Sequence, residues 1–202
     1  MMTTYQPKAD EIKALREKLQ APMMDCRSAL IEANGDPQRA ERLLLERGQA
    51  HAAKKAERTA NEGLVISYIH AGGKIGVLVE VNSETDFVAR NPKFGGLARD
   101  IAMHIAAMSP LYVDREGVPA DVVAAKREEF AGGVPADKAP EIAQKIVEGK
   151  LKRWYEEHCL IDQPFVKDDS MTVGELIGSA VGVLGERIVV RRFARYALGD
   201  SQ

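Results

Sequence analysis

Between residues 64 and 91 the chain alternates, turns and alternates back, and this pattern narrows what it can fold into. Leu64, Ile66 and Tyr68 share one face of a run from Leu64 to His70; Ile75, Val77, Val79 and Val81 share one face of a run from Lys74 to Val81. A period of two belongs to a half-buried strand. Ala71-Gly72-Gly73-Lys74 between the runs is a tight hairpin turn. The pattern therefore predicts two paired antiparallel strands with one apolar face to cover. The second strand leads into Glu80-Val81-Asn82-Ser83-Glu84-Thr85-Asp86-Phe87-Val88-Ala89-Arg90, and then into Asn91-Pro92, a cap and first helical position. An acid, Asp86, and a large aromatic, Phe87, thus sit together at a junction, where a chain can present side chains to something else. Two readings stand: Asp86 caps a helix and Phe87 is core, or both face a partner.

Upstream the period changes to that of helices. Ile12, Leu15 and Leu19 recur at helical spacing within residues 8–19. Pro22 opens a second helix with Met23, Cys26, Leu30 and Ala33 on its apolar face. Met23 and Met24 lie ~100° apart on a helix, so at least one is exposed as an adaptable apolar contact; Met23 as a core residue is the plainer alternative. Asn34-Gly35-Asp36-Pro37 stops this helix and starts a third, which carries Ala40, Leu43 and Leu44 and is expected to end at Gly48. Three short helices bury only a small shared core. They read as a compact module, residues 1–50, that resembles the ubiquitin-associated (UBA-like) fold. The alanine-rich stretch that follows, with Lys54, Lys55 and Arg58, has little apolar face and reads as a linker helix over 51–62.

Residues 63–202 form the expected core domain. After the hairpin, Phe94, Leu97, Ile101, Ile105 and Met108 make one stripe of a helix from Pro92 to Met108. Helices are predicted over Asp121–Phe130 and Pro140–His158, the latter turning Ile142, Ile146, Leu151 and Trp154 inward. Separated by Gly132-Gly133-Val134-Pro135, they make a projecting helical hairpin over about 119–158. Gln163–Ser170 reads as a loop, Thr172–Leu184 as a helix and Arg187–Leu198 as a final strand. The order predicts an α+β fold: a three-helix bundle, then a small antiparallel sheet covered by helices.

Several function classes fall away. A formal net charge of −2 and 5% aromatic residues argue against nucleic-acid binding by charge or base stacking. No apolar run approaches the ~18 residues that span a bilayer, and the first twelve residues lack the apolar stretch of a secretory signal. Cys26 and Cys159 make no disulfide framework, so a cytoplasmic location is the default. His51, His70 and His158 have no metal-ligand spacing, and no cofactor is expected. Gly73-Lys74-Ile75 is not a phosphate-binding loop: no Ser or Thr follows the lysine, and Tyr68 sits where the first glycine belongs. His104, between Ile101 and Ile105, is open to three readings: core residue, partner contact or base, the last weakest for want of a nucleophile. Gly174, Gly178 and Gly182 make a flat helical stripe for close approach, either to the sheet or to another helix. Glu80, Glu84 and Asp86 are close enough in sequence for an enzyme reading in which they hold a metal or move protons.

The wording Asn82-Ser83-Glu84-Thr85-Asp86-Phe87-Val88-Ala89-Arg90 resembles the signature of the elongation factor Ts family. Leu15-Arg16-Glu17, Ala21-Pro22-Met23-Met24-Asp25-Cys26-Arg27-Ser28-Ala29-Leu30 and Glu32-Ala33-Asn34-Gly35-Asp36 are similar to its N-terminal module, and Gln163-Pro164-Phe165-Val166-Lys167-Asp168 is family-like too. The family commonly has Thr-Gly-Ala-Gly between its first two helices, whereas Leu19-Gln20-Ala21-Pro22 stands here.

The resemblance implies a guanine nucleotide exchange factor, without covalent chemistry of its own, that acts on elongation factor Tu. It implies that Thr85, Asp86, Phe87 and Val88 form the segment that dislodges the partner's magnesium, and that Leu19, Gln20, Ala21, Pro22, Met23 and Met24 dock on its nucleotide-binding domain. His104 falls in a stretch near the partner's third domain. Short members of the family are similar in forming symmetric homodimers, so a homodimer is expected. The alternative is a non-catalytic UBA-like interaction module for which Phe87 is irrelevant.

Overall fold

The computed structural model describes residues 5–19, 21–135 and 137–200. In chain order the first elements are α1 (Ala9–Leu19), α2 (Met23–Glu32), α3 (Pro37–Lys55), β1 (Glu62–Ile69), β2 (Ile75–Ser83), α4 (Asp86–Ala89) and α5 (Pro92–Met108). There follow α6 (Ala120–Gly132), α7 (Pro140–His158), a single 3-10 turn at Leu160–Asp162, β3 (Pro164–Phe165), β4 (Asp168–Thr172), α8 (Val173–Leu184) and β5 (Val189–Ala197). Helices and a small antiparallel sheet make the fold α+β. The chain divides into two compact units, the described parts of 1–106 with 175–202, and 107–174.

In the first unit α1, α2 and α3 close on Leu15, Leu19, Cys26, Ala29, Leu30, Ala40 and Leu45, all buried. The restart between α2 and α3 is local chemistry. Asn34 and Gly35 take positive φ, and the Asp36 carboxylate accepts from the backbone N–H groups of Gln38 (2.9 Å) and Arg39 (3.1 Å) with Pro37 at the first position. Two expectations fail here. Helix α3 does not end at Gly48 but runs on to Lys55, so part of the expected linker belongs to it. Gly48 is instead a contact point: a Cβ on it would lie 3.0 Å from the backbone of Gly178 and Ser179 in α8. Met23 lies outside the bundle core, and 58% of it is exposed.

The sheet of this unit has the order β1-β2-β5, antiparallel throughout. Leu64, Ile66 and Tyr68 pair with Val81, Val79 and Val77, and the three valines are buried, as alternation demanded. A bulge between Glu80 and Val81 shifts the register against β5. Helix α5 starts where Asn91 Oδ1 accepts from Lys93 N at 2.9 Å and buries Phe94, Leu97, Ile101 and Ile105, while Met108, expected on that stripe, is exposed. The Arg195 guanidinium in β5 donates to the Ala106 carbonyl at the far end of α5 (3.3 Å).

The second unit holds α6 and α7, joined by an Arg127–Glu148 ion pair. Val118, Leu151, Trp154 and Cys159 form its core, flanked by Tyr112, Phe130 and Tyr155. Ile142, expected inside, is exposed because it lies in the first turn of α7, far along the helix from that core. Residues 163–170 are not a plain loop: β3 and β4 pair there as a short hairpin. Among the described residues no helix is long and apolar enough to cross a membrane.

Candidate functional site

The segment after β2 is held from several sides. Thr85 caps α4, its Oγ1 accepting from Val88 N at 3.4 Å. Glu186, just ahead of β5, takes both the Thr85 hydroxyl (2.6 Å) and the Thr85 backbone N–H (3.0 Å) on its two carboxylate oxygens. The Glu84 carboxylate accepts the backbone N–H of Arg187 at 2.6 Å and lies 3.4 Å from the Arg58 guanidinium. That N–H, and then the charge of Arg58, hold the Glu84 carboxyl below the usual range. The Ser83 hydroxyl donates to the Thr85 carbonyl (3.0 Å). Residues 84–85 are thereby stapled to 186–187, a hundred positions away in sequence.

On that base α4 is one turn long and divides its residues sharply. Val88 and Ala89 point in and are buried, whereas Phe87 is 79% exposed. Asp86 faces solvent beside it and pairs with Arg90 at 2.9 Å. An exposed ion pair of this kind contributes little to stability. The arrangement is a rigid stub carrying an apolar ring and a carboxylate outward. Exposing a large ring in water forgoes roughly 1.5–3 kcal/mol of burial.

The second predicted group is split. Leu19 is buried in the bundle, Ala21 half-buried and Pro22 exposed, while Met23 and Met24 project from the start of α2 with 58% and 67% exposure. Gln20 lies outside the described residues. Leu19, Ala21 and Pro22 also border a cleft of ≈ 260 Å³ shared with Arg47, His51 and Gly182. His104 is fully enclosed within α5 (0% exposed), which fits the core reading and leaves it no surface for a partner in this conformation. Sequence reasoning missed Glu186 and the backbone of Arg187; no local signal marks them, since their role exists only once β5 lies beside β2.

The three carboxylates of the enzyme reading bind different arginines: Glu80 pairs with Arg192 (2.8 Å), Glu84 with Arg58 and Asp86 with Arg90. Among the described residues no three His, Cys, Asp or Glu side chains converge to hold a metal. Cys26 and Cys159 are buried free thiols, and burial pushes Cys159 up to about 11.

Residues 40–200 match the sequence model of the family described as Elongation factor TS. The chain is 55% identical over 194 residues to "Elongation factor Ts" of Anaeromyxobacter sp. (strain Fw109-5), covering 96% of this chain and 89% of that one. It is 52% identical to the protein of the same name from Koribacter versatilis (95% and 88% covered) and 50% identical to that from Moorella thermoacetica (96% of each). The chain belongs to the elongation factor Ts family. As a member of the elongation factor Ts family it is a translation elongation factor.

Proposed function

We propose that this protein is a guanine nucleotide exchange factor that binds elongation factor Tu with GDP, displaces its magnesium and promotes GDP release and GTP loading. The observation that carries this is Phe87, exposed on a one-turn helix whose base is tied to residues 186–187. A rigid apolar wedge transmits force where a flexible one would fold away. Magnesium tolerates little distortion of its octahedral shell, so a small shift of its ligands weakens metal and phosphates together. Burying the ring returns roughly 1.5–3 kcal/mol, a share of the distortion cost; further contacts supply the rest. Met23 and Met24, with Pro22 and Ala21, are the apolar surface for that second contact; Thr85, Val88 and Leu19 position the two surfaces from within. Coupling is reciprocal: GTP binding to the partner drives the factor off. The protein performs no covalent chemistry.

In this reading residues 1–50 are a UBA-like docking module, 51–62 connect it, and 63–202 form the core and dimerisation domain with the helical hairpin at about 119–158. Two copies associate in the cytoplasm as a homodimer. The outer face of the sheet supports this. Ile69, Gly76 and Tyr196 form one row across the strands, and Ser67, Leu78 and Ala194 form the next, with the large side chains exposed. A flat apolar face of this kind is satisfied by an identical face stacked on it at ~10 Å, through the two-fold arrangement commonest among oligomers.

The test is stopped-flow release of a fluorescent GDP analogue from elongation factor Tu. Wild-type protein is expected to accelerate release strongly, and Phe87→Ala to lose about tenfold or more of that acceleration, equivalent to ~1.4 kcal/mol of barrier. No acceleration by wild type would leave the interaction-module reading standing. Acceleration that survives Phe87→Ala would keep exchange and remove Phe87 as its lever.

A further inference from the structure

Glu84 and Glu186 grip each other's segments reciprocally: the Glu84 carboxylate accepts the Arg187 N–H (2.6 Å), and the Glu186 carboxylate accepts the Thr85 N–H (3.0 Å). The second oxygen of Glu186 does more, because it takes the Thr85 hydroxyl at 2.6 Å. An ionised carboxylate only accepts, so the hydroxyl proton is committed to Glu186 and the lone pairs of Thr85 Oγ1 are left for the Val88 N–H, 3.4 Å away. Hydrogen bonds to a charged group are the strong ones. One carboxylate thus fixes both the backbone and the side-chain rotamer of the residue that caps α4, directly before Asp86 and Phe87. Glu186 is itself held. Helix α8 ends at Leu184, and Gly185 takes φ +76° with its N–H on the Val181 carbonyl at 3.0 Å, a left-handed stop that turns the chain toward β5. Lys55 Nζ, at the end of α3, donates to the Gly185 carbonyl, and the Arg187 guanidinium donates to the Arg58 carbonyl. Both neighbours of Glu186 are therefore anchored to residues 55–58.

We propose that Glu186 is a positioning residue for nucleotide exchange: it sets the direction in which Phe87 is presented, and it speeds GDP release without adding to docking affinity. This rests on the exchange reading above. Phe87 on an unbraced turn has the same apolar area to bury, but the turn must first be ordered, and that entropy offsets part of the gain. The loss falls on the step in which the ring enters the partner. The apolar surface at Met23 and Met24, which lies outside the brace, still holds the complex together. Glu186 reaches Phe87 only through Thr85 and the turn it caps, so its contribution disappears when the ring is absent.

The experiment is stopped-flow release of a fluorescent GDP analogue from elongation factor Tu at increasing concentrations of the full chain, which separates the maximal rate from the half-saturating concentration. Glu186→Ala is expected to lower the maximal rate about fivefold, with the half-saturating concentration changed by less than about twofold. Glu186→Gln, which keeps one acceptor oxygen for the two donors of Thr85, is expected to lose about twofold. In a Phe87→Ala background Glu186→Ala is expected to cost nothing further, since the two act as one unit. Hydrogen exchange of the free chain supplies the structural check: Glu186→Ala exposes the Thr85 and Val88 amides while those of β2 stay protected. Wild-type acceleration that Glu186→Ala leaves intact overturns this role and keeps the exchange reading. So does a loss that adds to that of Phe87→Ala, or one that comes with raised half-saturation and lost protection through β2. No acceleration by wild type overturns the exchange reading and this role with it.

Discussion

Phe87 and Val88 are neighbours in sequence, yet one is 79% exposed and the other 4%. The difference is one step of ~100° around α4, and it is fixed by the residues that hold the turn. Among these Glu84 carries a testable pH signature. Its pKa lies below the ordinary glutamate value, chiefly through the Arg187 N–H. A lowered pKa contributes stability that is present above the ordinary value and lost as pH falls through the lowered one. Glu84→Gln is therefore expected to be less stable than wild type at neutral pH, with the gap closing below about pH 4. Urea unfolding at stepped pH checks this, and a gap that stays constant to acid would refute it. The acid and the aromatic of this site were legible in sequence as a pair at a junction. That Phe87 would point out and Val88 in was not, because a four-residue helix has too few residues to show a period.

At the scale of elements, α3 and α8 show how a local rule yields to packing. Gly48 reads as a stop, but nothing requires glycine to terminate a helix, and the backbone here stays helical because α8 presses against it. Added methyl groups give opposite outcomes along the α8 stripe. At Gly178 a Cβ meets the backbone of Gly48 and Gln49 at 3.2 Å, and neither can yield without parting the helices. Gly178→Ala is expected to destabilise by about 1–3 kcal/mol despite better helix propensity. At Gly182 the nearest atom is His51 Nδ1 at 3.7 Å, an ordinary contact, so Gly182→Ala is expected to gain about 0.5–1 kcal/mol. Chemical denaturation of the two variants checks the sign of each. The spacing of the glycines revealed close approach; which of them is approached depends on where α3 crosses.

At the scale of the whole molecule, the outer face of the sheet leaves Val65, Ile69, Leu78 and Tyr196 in water, and the proposed homodimer covers them. Leu78→Glu, near the centre of that face, is expected to shift the protein from dimer to monomer in sedimentation velocity while the monomer stays folded. A wild-type monomer, or a variant still dimeric, would remove this face from the assembly. Alternating valines, the Asn34–Pro37 restart and the long apolar stripe of α5 determined by themselves that the chain is α+β, because period and capping are properties of neighbouring residues. The family signature at 82–90 was equally legible. Tertiary structure alone decided that Phe87 points out and His104 in, and that Glu186 and Arg187 brace a turn a hundred residues earlier. Each of these depends on which strands and helices lie side by side, a relation between distant residues that no local pattern encodes.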